Sequence, residues 1–259
     1  MGTTPYVVRS DVAAIDALLV CAQASPIADE VWGYAQCLGD LLGIHVSLFQ
    51  TVAGPGALFD ALADEVGRAG YDLVILGESH QSLVERLLSG PASRRVADRV
   101  PTSLLVARRP RWPLRRMLLV IRGEETDDEA VDWMVRLAQP SSAAVTVLAV
   151  VPPLPAMYHD MACIPQGLAA LLATDTALGR AMRRVARRLV NWEIEGTLAL
   201  RQGSPEWQIR REVAEGDYDL IAIAAEPHGP WLRRLLGEVI GPLLRWANRP
   251  VLIAKPTTA

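Results

Sequence analysis

Cysteine, lysine and phenylalanine are all scarce in this sequence of 259 residues. The chain has three cysteines, Cys21, Cys37 and Cys163, a single lysine, Lys255, and two phenylalanines. The cysteine count is odd and no C-x-x-C pair occurs, which argues against a disulfide framework and against a cysteine-based zinc site. We therefore expect free thiols, as in a reducing compartment.

Long apolar runs and a strong charge of one sign are also missing. No apolar run reaches the ~18 residues that a transmembrane helix needs, and Asp11 and Asp16 interrupt the stretch where a secretory signal would be uncharged. The net charge of -3 is opposite in sign to that of a general nucleic-acid binder. These absences predict a cytoplasmic protein with neither a membrane nor a nucleic acid as partner.

The sequence does contain an internal repeat, because three segments recur with a common offset of 147 positions. The matching pairs are Tyr71–Gly77 with Tyr218–Ala224, Arg86–Gly90 with Arg233–Gly237, and Ser103–Arg108 with Pro250–Lys255. The apolar runs that open the two copies, Ala17–Gln23 and Met117–Arg122, are only about 100 positions apart. The second copy is thus longer in its middle by roughly one helix and one strand. We predict a truncated repeat at 1–110 and a full-length repeat at 111–259.

Continuous apolar runs alternate with helical patterns, which predicts parallel strands buried on both faces. Strands are predicted at 17–23, 45–52, 72–77, 103–108, 117–122, 143–151, 194–201, 218–224 and 250–255. Helices are predicted at 26–42, 56–69, 91–99, 127–138, 168–192, 205–215 and 238–247. Thr126 and Glu129 have the spacing of a capping box, and Ser204 with Pro205 predicts an N-cap followed by proline at the first helical position. The alternation predicts a doubly wound α/β fold.

The loop that follows the Tyr-Asp strand has the same length in both copies. Thirteen positions separate Gly77 from Gly90, and thirteen separate Ala224 from Gly237. Ligands of open α/β sheets bind beyond the carboxyl ends of the strands. Glycines there allow the backbone to approach a phosphate closely, and a helix N-terminus favours an anion.

This arrangement resembles the universal stress protein family, whose signature is Gly-x2-Gly-x9-Gly-Ser/Thr after a strand, with a Pro-Val-Leu-Val strand closing the sheet. The resemblance covers about 17–108 and 114–256. It implies two flavodoxin-like, adenine nucleotide alpha hydrolase-like parallel-sheet repeats, the first lacking about one βα unit. It also implies an intramolecular pseudo-dimer in which 103–108 meets 250–255.

In the first repeat, the resemblance places a nucleotide pocket at Gly77, Gly90 and Ser93. His80 stands where the family has its second glycine, and Gln23 replaces the aspartate that contacts adenosine. ATP in this repeat is therefore the one cofactor that the resemblance leaves open.

The second repeat departs further from the family. Gly237 matches, but Ala224 replaces the first glycine, Arg122 replaces the aspartate, and Glu238 replaces the hydroxyl residue. A carboxylate ~4 Å from a phosphate repels it by a few kcal/mol at an effective dielectric of ~20. One hypothesis is that Arg122 pairs with Glu238 or Glu226 and fills the vacated pocket, and the alternative is independent drift.

Two further patterns leave alternatives open. Arg180, Arg183, Arg184, Arg187 and Arg188 form one stripe of a helix. The stripe is either a docking face for an acidic partner, a nucleic acid or a membrane surface, or it is a solvated face. In the second case acids of the first repeat are the candidate counter-charges. His80 and His228 are either anion or metal contacts or exposed loop residues. We expect no metal site and no catalytic residue, since two histidines alone are too few to bind zinc.

The leading functional hypothesis is a non-enzymatic stress-response or regulatory protein with largely lost ATP binding, no cofactor and an unknown protein partner. A homodimer is left open. The alternative is an adenine-nucleotide-binding stress protein that retains its ligand in the first repeat. An ATP-cleaving or adenylating enzyme would need a phosphate loop and a metal-binding acid, and a regulatory module of a transporter would need a membrane partner.

Overall fold

A computed structural model describes residues 17–21, 26–49, 62, 64–77, 102–151, 167–225 and 232–255. The strands are β1 Ala17–Cys21, β2 His45–Phe49, β3 Leu73–Gly77, β4 Ser103–Ala107, β5 Arg116–Ile121, β6 Ala144–Val151, β7 Gly196–Gln202, β8 Leu220–Ala224 and β9 Val251–Ala254. The helices are α1 Pro26–Leu42, α2 Asp127–Ser141, α3 Leu168–Ala173, α4 Ala177–Asn191, α5 Pro205–Gly216 and α6 Leu232–Trp246. Residues 64–69 are also helical. The α/β class predicted from the sequence is confirmed.

All nine described strands form one sheet in the order β2-β1-β3-β4-β9-β8-β5-β6-β7. Every neighbouring pair is parallel except β4 and β9, which are antiparallel. The sheet therefore has a first half, β1 to β4, and a second half, β5 to β9, whose strands run in opposite directions. The carboxyl ends of the strands in the first half consequently lie on the side of the sheet where the strands of the second half have their amino ends.

The two halves meet where the family resemblance implied that 103–108 and 250–255 would come together. Leu105 of β4 lies opposite Leu252 of β9 in a short antiparallel ladder. Trp133 of α2 adds a bond across this junction, because its Nε1–H donates to Ser103 Oγ at 2.9 Å. Ser103 Oγ also accepts the backbone N–H of Lys255 at 3.1 Å. One hydroxyl thus connects β4, β9 and a helix of the second half.

Each face of the sheet is covered by helices, and each apolar layer draws on both halves. One layer contains side chains of α1, α2, α3 and α4, and the other contains side chains of the 62–69 region, α5 and α6. Gly39 shows how closely α1 lies on the sheet, since a Cβ there would come 2.4 Å from Val46 Cγ2. The core is continuous across the junction of the halves.

The repeated Tyr-Asp pair that precedes β3 and β8 has a structural explanation in the second half. Asp219 Oδ2 accepts the backbone N–H groups of Arg115 at 2.8 Å and Arg116 at 3.0 Å. These contacts join the amino ends of β8 and β5. The amino ends of these strands are remote from the carboxyl ends where ligands bind. The Tyr-Asp motif therefore fixes the alignment of β8 against β5.

The second half contributes five described strands and the first half four. The additional strand β7 pairs with β6 along seven residues, from Val145 opposite Gly196 to Val151 opposite Gln202. The corresponding strand of the first half, β2, has no described strand on that side. Among the described residues the second half thus has one strand more than the first half, and the lack of a whole βα unit in the first half stays a prediction.

The single helix predicted at 168–192 is wrong, because α3 and α4 are separate helices. Thr174 Oγ1 donates to the carbonyl of Leu171 at 2.7 Å, and Thr176 Oγ1 caps α4 by accepting the N–H of Gly179 at 3.1 Å. Gly179 packs so closely that a Cβ would come 2.6 Å from the Leu171 carbonyl oxygen. Threonine side chains that compete for backbone bonds break the helix here.

Two predicted capping bonds and one predicted helix start also differ from the structure. Thr126 makes no side-chain capping bond, so the capping box predicted with Glu129 does not form. Pro205 opens α5 as expected, but Ser204 makes no side-chain capping bond. The last helix begins at Leu232, which is earlier than the predicted start at 238.

Candidate functional site

The strand order of the second half reverses between β5 and β8. From β5 the chain continues to β6 on one side, while β8 pairs with the other side of β5. The crevice beyond the carboxyl ends of β5 and β8 is therefore the position where a doubly wound sheet binds its ligands. Two of the predicted site residues lie here: Arg122 follows β5, and Ala224 is the last residue of β8.

The Arg122 side chain occupies this crevice. Its Nη2 donates to the carbonyl oxygens of Ala224 at 3.0 Å and Ala225 at 3.4 Å. The same nitrogen lies 3.6 Å from Glu124 Oε2, and only 9% of the Arg122 side chain is exposed. The guanidinium thus bridges the ends of the two strands that border the site.

Asp127, the first residue of α2, uses the free amides of the loop after β5. Its Oδ2 accepts the N–H groups of Gly123 at 2.7 Å, Arg122 at 2.9 Å and Glu124 at 3.0 Å. Burial raises the pKa of the Asp127 carboxyl, while these three N–H bonds and the nearby Arg122 charge act in the opposite direction. Three donors that could meet an anionic ligand are therefore engaged by the protein itself.

Gly123 brings the same loop against α4. Its φ of +86° is favourable only for glycine, and a Cβ would lie 2.8 Å from Leu178 Cα and 2.9 Å from Leu178 N. The chain beyond β5 is consequently packed on one side by the start of α4. The site is bordered by α2, α4 and the end of β8.

The two remaining predicted residues of the second half, Gly237 and Glu238, lie within α6. Because the helix begins at Leu232, these residues fall in its second turn, where backbone N–H groups are normally bonded within the helix. A free helix N-terminus at 237–238, as the family signature implies, is therefore wrong for this chain. The side chain of Glu238 and residue Glu226 lie outside what the structure describes, so their pairing with Arg122 stays a hypothesis.

The first half keeps one predicted residue within the described segments. Gly77 is the last residue of β3 and is buried, and a Cβ there would come 3.2 Å from Val31 Cγ2 of α1. Gln23, His80, Gly90 and Ser93 lie outside the described residues. The strands of the two halves run in opposite directions, so Gly77 at the end of β3 and Arg122 after β5 lie at opposite ends of the strands. The two residues therefore cannot share one site.

The arginine stripe of α4 is paired with acids of its own half. Arg184 lies 3.8 Å from Asp128, and Arg188 forms an ion pair with Asp132. Arg180 lies 3.2 Å from Asp175, and Arg183 also pairs with Asp175 at 3.9 Å. Neutralisation by acids of the first half is therefore wrong. Three aspartates of the second half neutralise most of the stripe.

Sequence reasoning missed Asp127 and Glu124 as parts of this site. Acids at a helix start interact favourably with the helix dipole, which accounts for Asp128 and Glu129 but not for Asp127, which is 1% exposed. An aspartate four residues after a glycine that follows a strand is the available signal.

Among the described residues, no group of three or more histidines, cysteines and acids could hold a metal ion. No described helix is long and apolar enough to cross a membrane.

Residues 113–255 match the model of the universal stress protein family, which is more than half of the chain. No curated protein matches the sequence significantly. Among solved structures, the chain is similar to a universal stress protein from Archaeoglobus fulgidus, with a TM-score of 0.59 and 15% identity over 93% of this chain and 97% of that one. It is also similar to a functionally unknown protein from Pseudomonas aeruginosa, with a TM-score of 0.57 and 15% identity over 94% of both chains. At this identity the two structures support the fold alone.

Proposed function

The chain belongs to the universal stress protein family, and from this premise we propose that it is a non-enzymatic, cytoplasmic stress-response protein whose second half has given up ATP binding. The observation that carries the proposal is the placement of Arg122. Arg122 stands at the position, after β5, where the family resemblance puts the aspartate that contacts adenosine, and its guanidinium is bonded to the carbonyls at the end of β8. Because the protein keeps its sheet but fills the crevice beyond β5 and β8 with its own side chain, we infer that it acts through contacts with other proteins.

Electrostatics and hydrogen bonding both support this proposal. Glu124 lies beside the guanidinium, so the crevice carries a carboxylate as well as a cation. Asp127 engages the three amides of the loop after β5. A nucleotide would have to displace the Arg122 bonds and compete with two carboxylates, and a buried donor left without a partner costs ~1–3 kcal/mol.

Thermal unfolding with and without ATP-Mg²⁺ tests the proposal directly. A ligand that binds only the native state raises the midpoint by an amount set by its concentration over its dissociation constant. We expect no rise at millimolar ATP-Mg²⁺ beyond that produced by magnesium sulfate of equal ionic strength. We also expect no release of phosphate from ATP above the rate without protein. A specific rise with ATP, or phosphate release, would refute a protein without nucleotide binding or activity.

The second candidate is an adenine nucleotide held by the first half. The observation that favours it is Gly77, which keeps the family residue at the end of β3, next to β1. If ATP does raise the midpoint, Gly90→Glu and Arg122→Asp separate the two halves. If the ATP-dependent rise in the unfolding midpoint is lost only in Gly90→Glu, the ligand binds to the first half. If the rise is larger in Arg122→Asp than in the wild type, Arg122 is the residue that prevents ATP from binding to the second half.

A further inference from the structure

The outer edge of β2 is open among the residues that the structure describes. β2 pairs with β1 from Ala17 opposite His45 to Cys21 opposite Phe49, and no described strand lies on its other side. In the second half, the same side of β6 is covered by the full length of β7. The fold thus shows, in its own second half, that a strand fits against this position.

The residues of β2 do not protect it against pairing with another strand. Natural edge strands carry charges, proline or bulges that prevent association. β2 reads His-Val-Ser-Leu-Phe and has no proline and no acidic, lysine or arginine residue. Leu48 is 45% exposed and is one of four large hydrophobic side chains exposed in the described part of the chain.

The opposite edge of the sheet differs in this respect. β7 carries Arg201, which bonds to Glu212 at 2.7 Å and to Glu215 at 2.8 Å. Charged groups fixed beside an edge strand oppose the approach of a second sheet. Of the two edges, β2 is therefore the one suited to pairing.

We propose that two copies of this chain associate through β2, antiparallel and about a twofold axis, and form one continuous sheet. With the axis at Ser47, Val46 of each copy lies opposite Leu48 of the other, so the exposed leucine gains an apolar neighbour. No two like charges face each other in this register, which favours self-pairing. An isologous pair closes as a dimer and leaves no further β2 edge. The halves of one chain already join in the same antiparallel manner at β4 and β9.

Sedimentation over a range of protein concentrations tests the proposal with three forms of the full chain. The wild type should approach twice the chain mass of 28.2 kDa by about 100 µM, where contacts of micromolar affinity are populated. Leu48→Lys should weaken the association at least tenfold, because it removes the apolar contact and places a charge at the edge. Val190→Lys is the matched control, since Val190 is 74% exposed on α4 and remote from the proposed interface; its association should equal that of the wild type.

Hydrogen exchange of the β2 amides in the wild type supplies a second readout that needs no variant. Protection should increase with protein concentration, in step with the dimer, for those amides among residues 46–49 that point away from β1, because the alternate amides already bond to β1. A chain that stays monomeric, a dimer that Leu48→Lys leaves intact, an equal loss in Val190→Lys, or exchange of the outward-pointing amides that ignores concentration would each overturn the proposal.

Discussion

Asp127 and Arg122 show how two charged side chains hold the end of β5. The carboxylate satisfies three backbone N–H groups that follow the strand, and the guanidinium reaches the carbonyls that follow β8. Both side chains are largely withdrawn from water, so each depends on the other and on the backbone for compensation. Among the described residues, the Nε and Nη1 atoms of Arg122 and the Oδ1 atom of Asp127 are buried without a hydrogen-bond partner, so the set of polar contacts in the crevice is not closed.

Two substitutions of Asp127 separate its hydrogen bonds from its charge. Asp127→Ala leaves three N–H groups without an acceptor and should lower the free energy of unfolding by about 1–3 kcal/mol. Asp127→Asn keeps an acceptor oxygen in place and should cost less. Urea unfolding at neutral pH measures both differences.

The raised pKa of Asp127 also predicts a pH dependence. A carboxyl whose pKa is higher in the folded state stabilises the fold below its unfolded pKa, and this contribution is lost as pH rises through the folded pKa. The stability of the wild type relative to Asp127→Asn should therefore fall as pH rises across that interval and stay constant above it. Parallel pH profiles for the two proteins would contradict this prediction.

Gly123 and Gly43 form a matched pair of glycines with positive φ. Gly43 has a φ of +68° with nothing within 4 Å of a Cβ, whereas Gly123 has a φ of +86° and faces the backbone of Leu178. Gly43→Ala should cost about 1 kcal/mol through backbone conformation alone. Gly123→Ala should cost a further ~1–3 kcal/mol, since backbone atoms must move. Equal losses in chemical denaturation would show that the contact with α4 is not tight.

At the scale of elements, α4 is a helix whose basic face is tied to α2 and to Asp175. The pairs Arg184–Asp128 and Arg188–Asp132 run between the two helices. Arg187 has no ion pair within the described part of the chain and is exposed. The stripe therefore has a structural account through most of its length, and docking of an acidic partner stays an untested alternative.

The stripe should respond to mutation unevenly. Arg187→Gln and Arg180→Gln should change the free energy of unfolding by less than about 0.5 kcal/mol, as is usual for exposed charges. Arg188→Gln should cost about 1 kcal/mol, because both members of its pair are about three-quarters buried. Thermal unfolding of the three variants at low and high salt provides the test, and a uniform loss across all three would contradict it.

At the scale of the whole molecule, the two halves are joined by a ladder, a hydroxyl and a buried arginine. Arg108, which follows β4, is 5% exposed, and its Nη1 donates to the carbonyls of Leu244 and Ala247 at the end of α6. These carbonyls have no partner within a helix, so a cation from the other half satisfies them. The predicted boundary between repeats 1–110 and 111–259 stays a prediction, because the apolar core and the Arg108 hydrogen bonds both cross it.

Arg108 and Arg111 provide a comparison between a buried and an exposed link to the second half. Arg108→Met should lower the free energy of unfolding by about 2–4 kcal/mol, since buried carbonyls lose a charged donor. Arg111→Met should cost less than about 1 kcal/mol, because its 2.6 Å pair with Asp217 is exposed on both sides. Calorimetry gives both values, and a second unfolding transition in Arg108→Met would show that the halves had become independent. Similar losses in the two variants would contradict the importance of the buried link.

The amino-acid sequence by itself predicted the nine strands that the structure describes. The family resemblance added the strands at which the halves meet, and the repeated plan with a longer second copy stays a prediction. Apolar periodicity reports burial within each segment, and a common offset reports a common fold, so neither needs distant contacts. The tertiary structure alone decided that Arg122 bonds to carbonyls about 100 residues away, that α6 begins before Gly237, and that acids of the second half neutralise α4. These outcomes depend on which backbone atoms the folded sheet brings within reach of a side chain, and no local pattern encodes that distance.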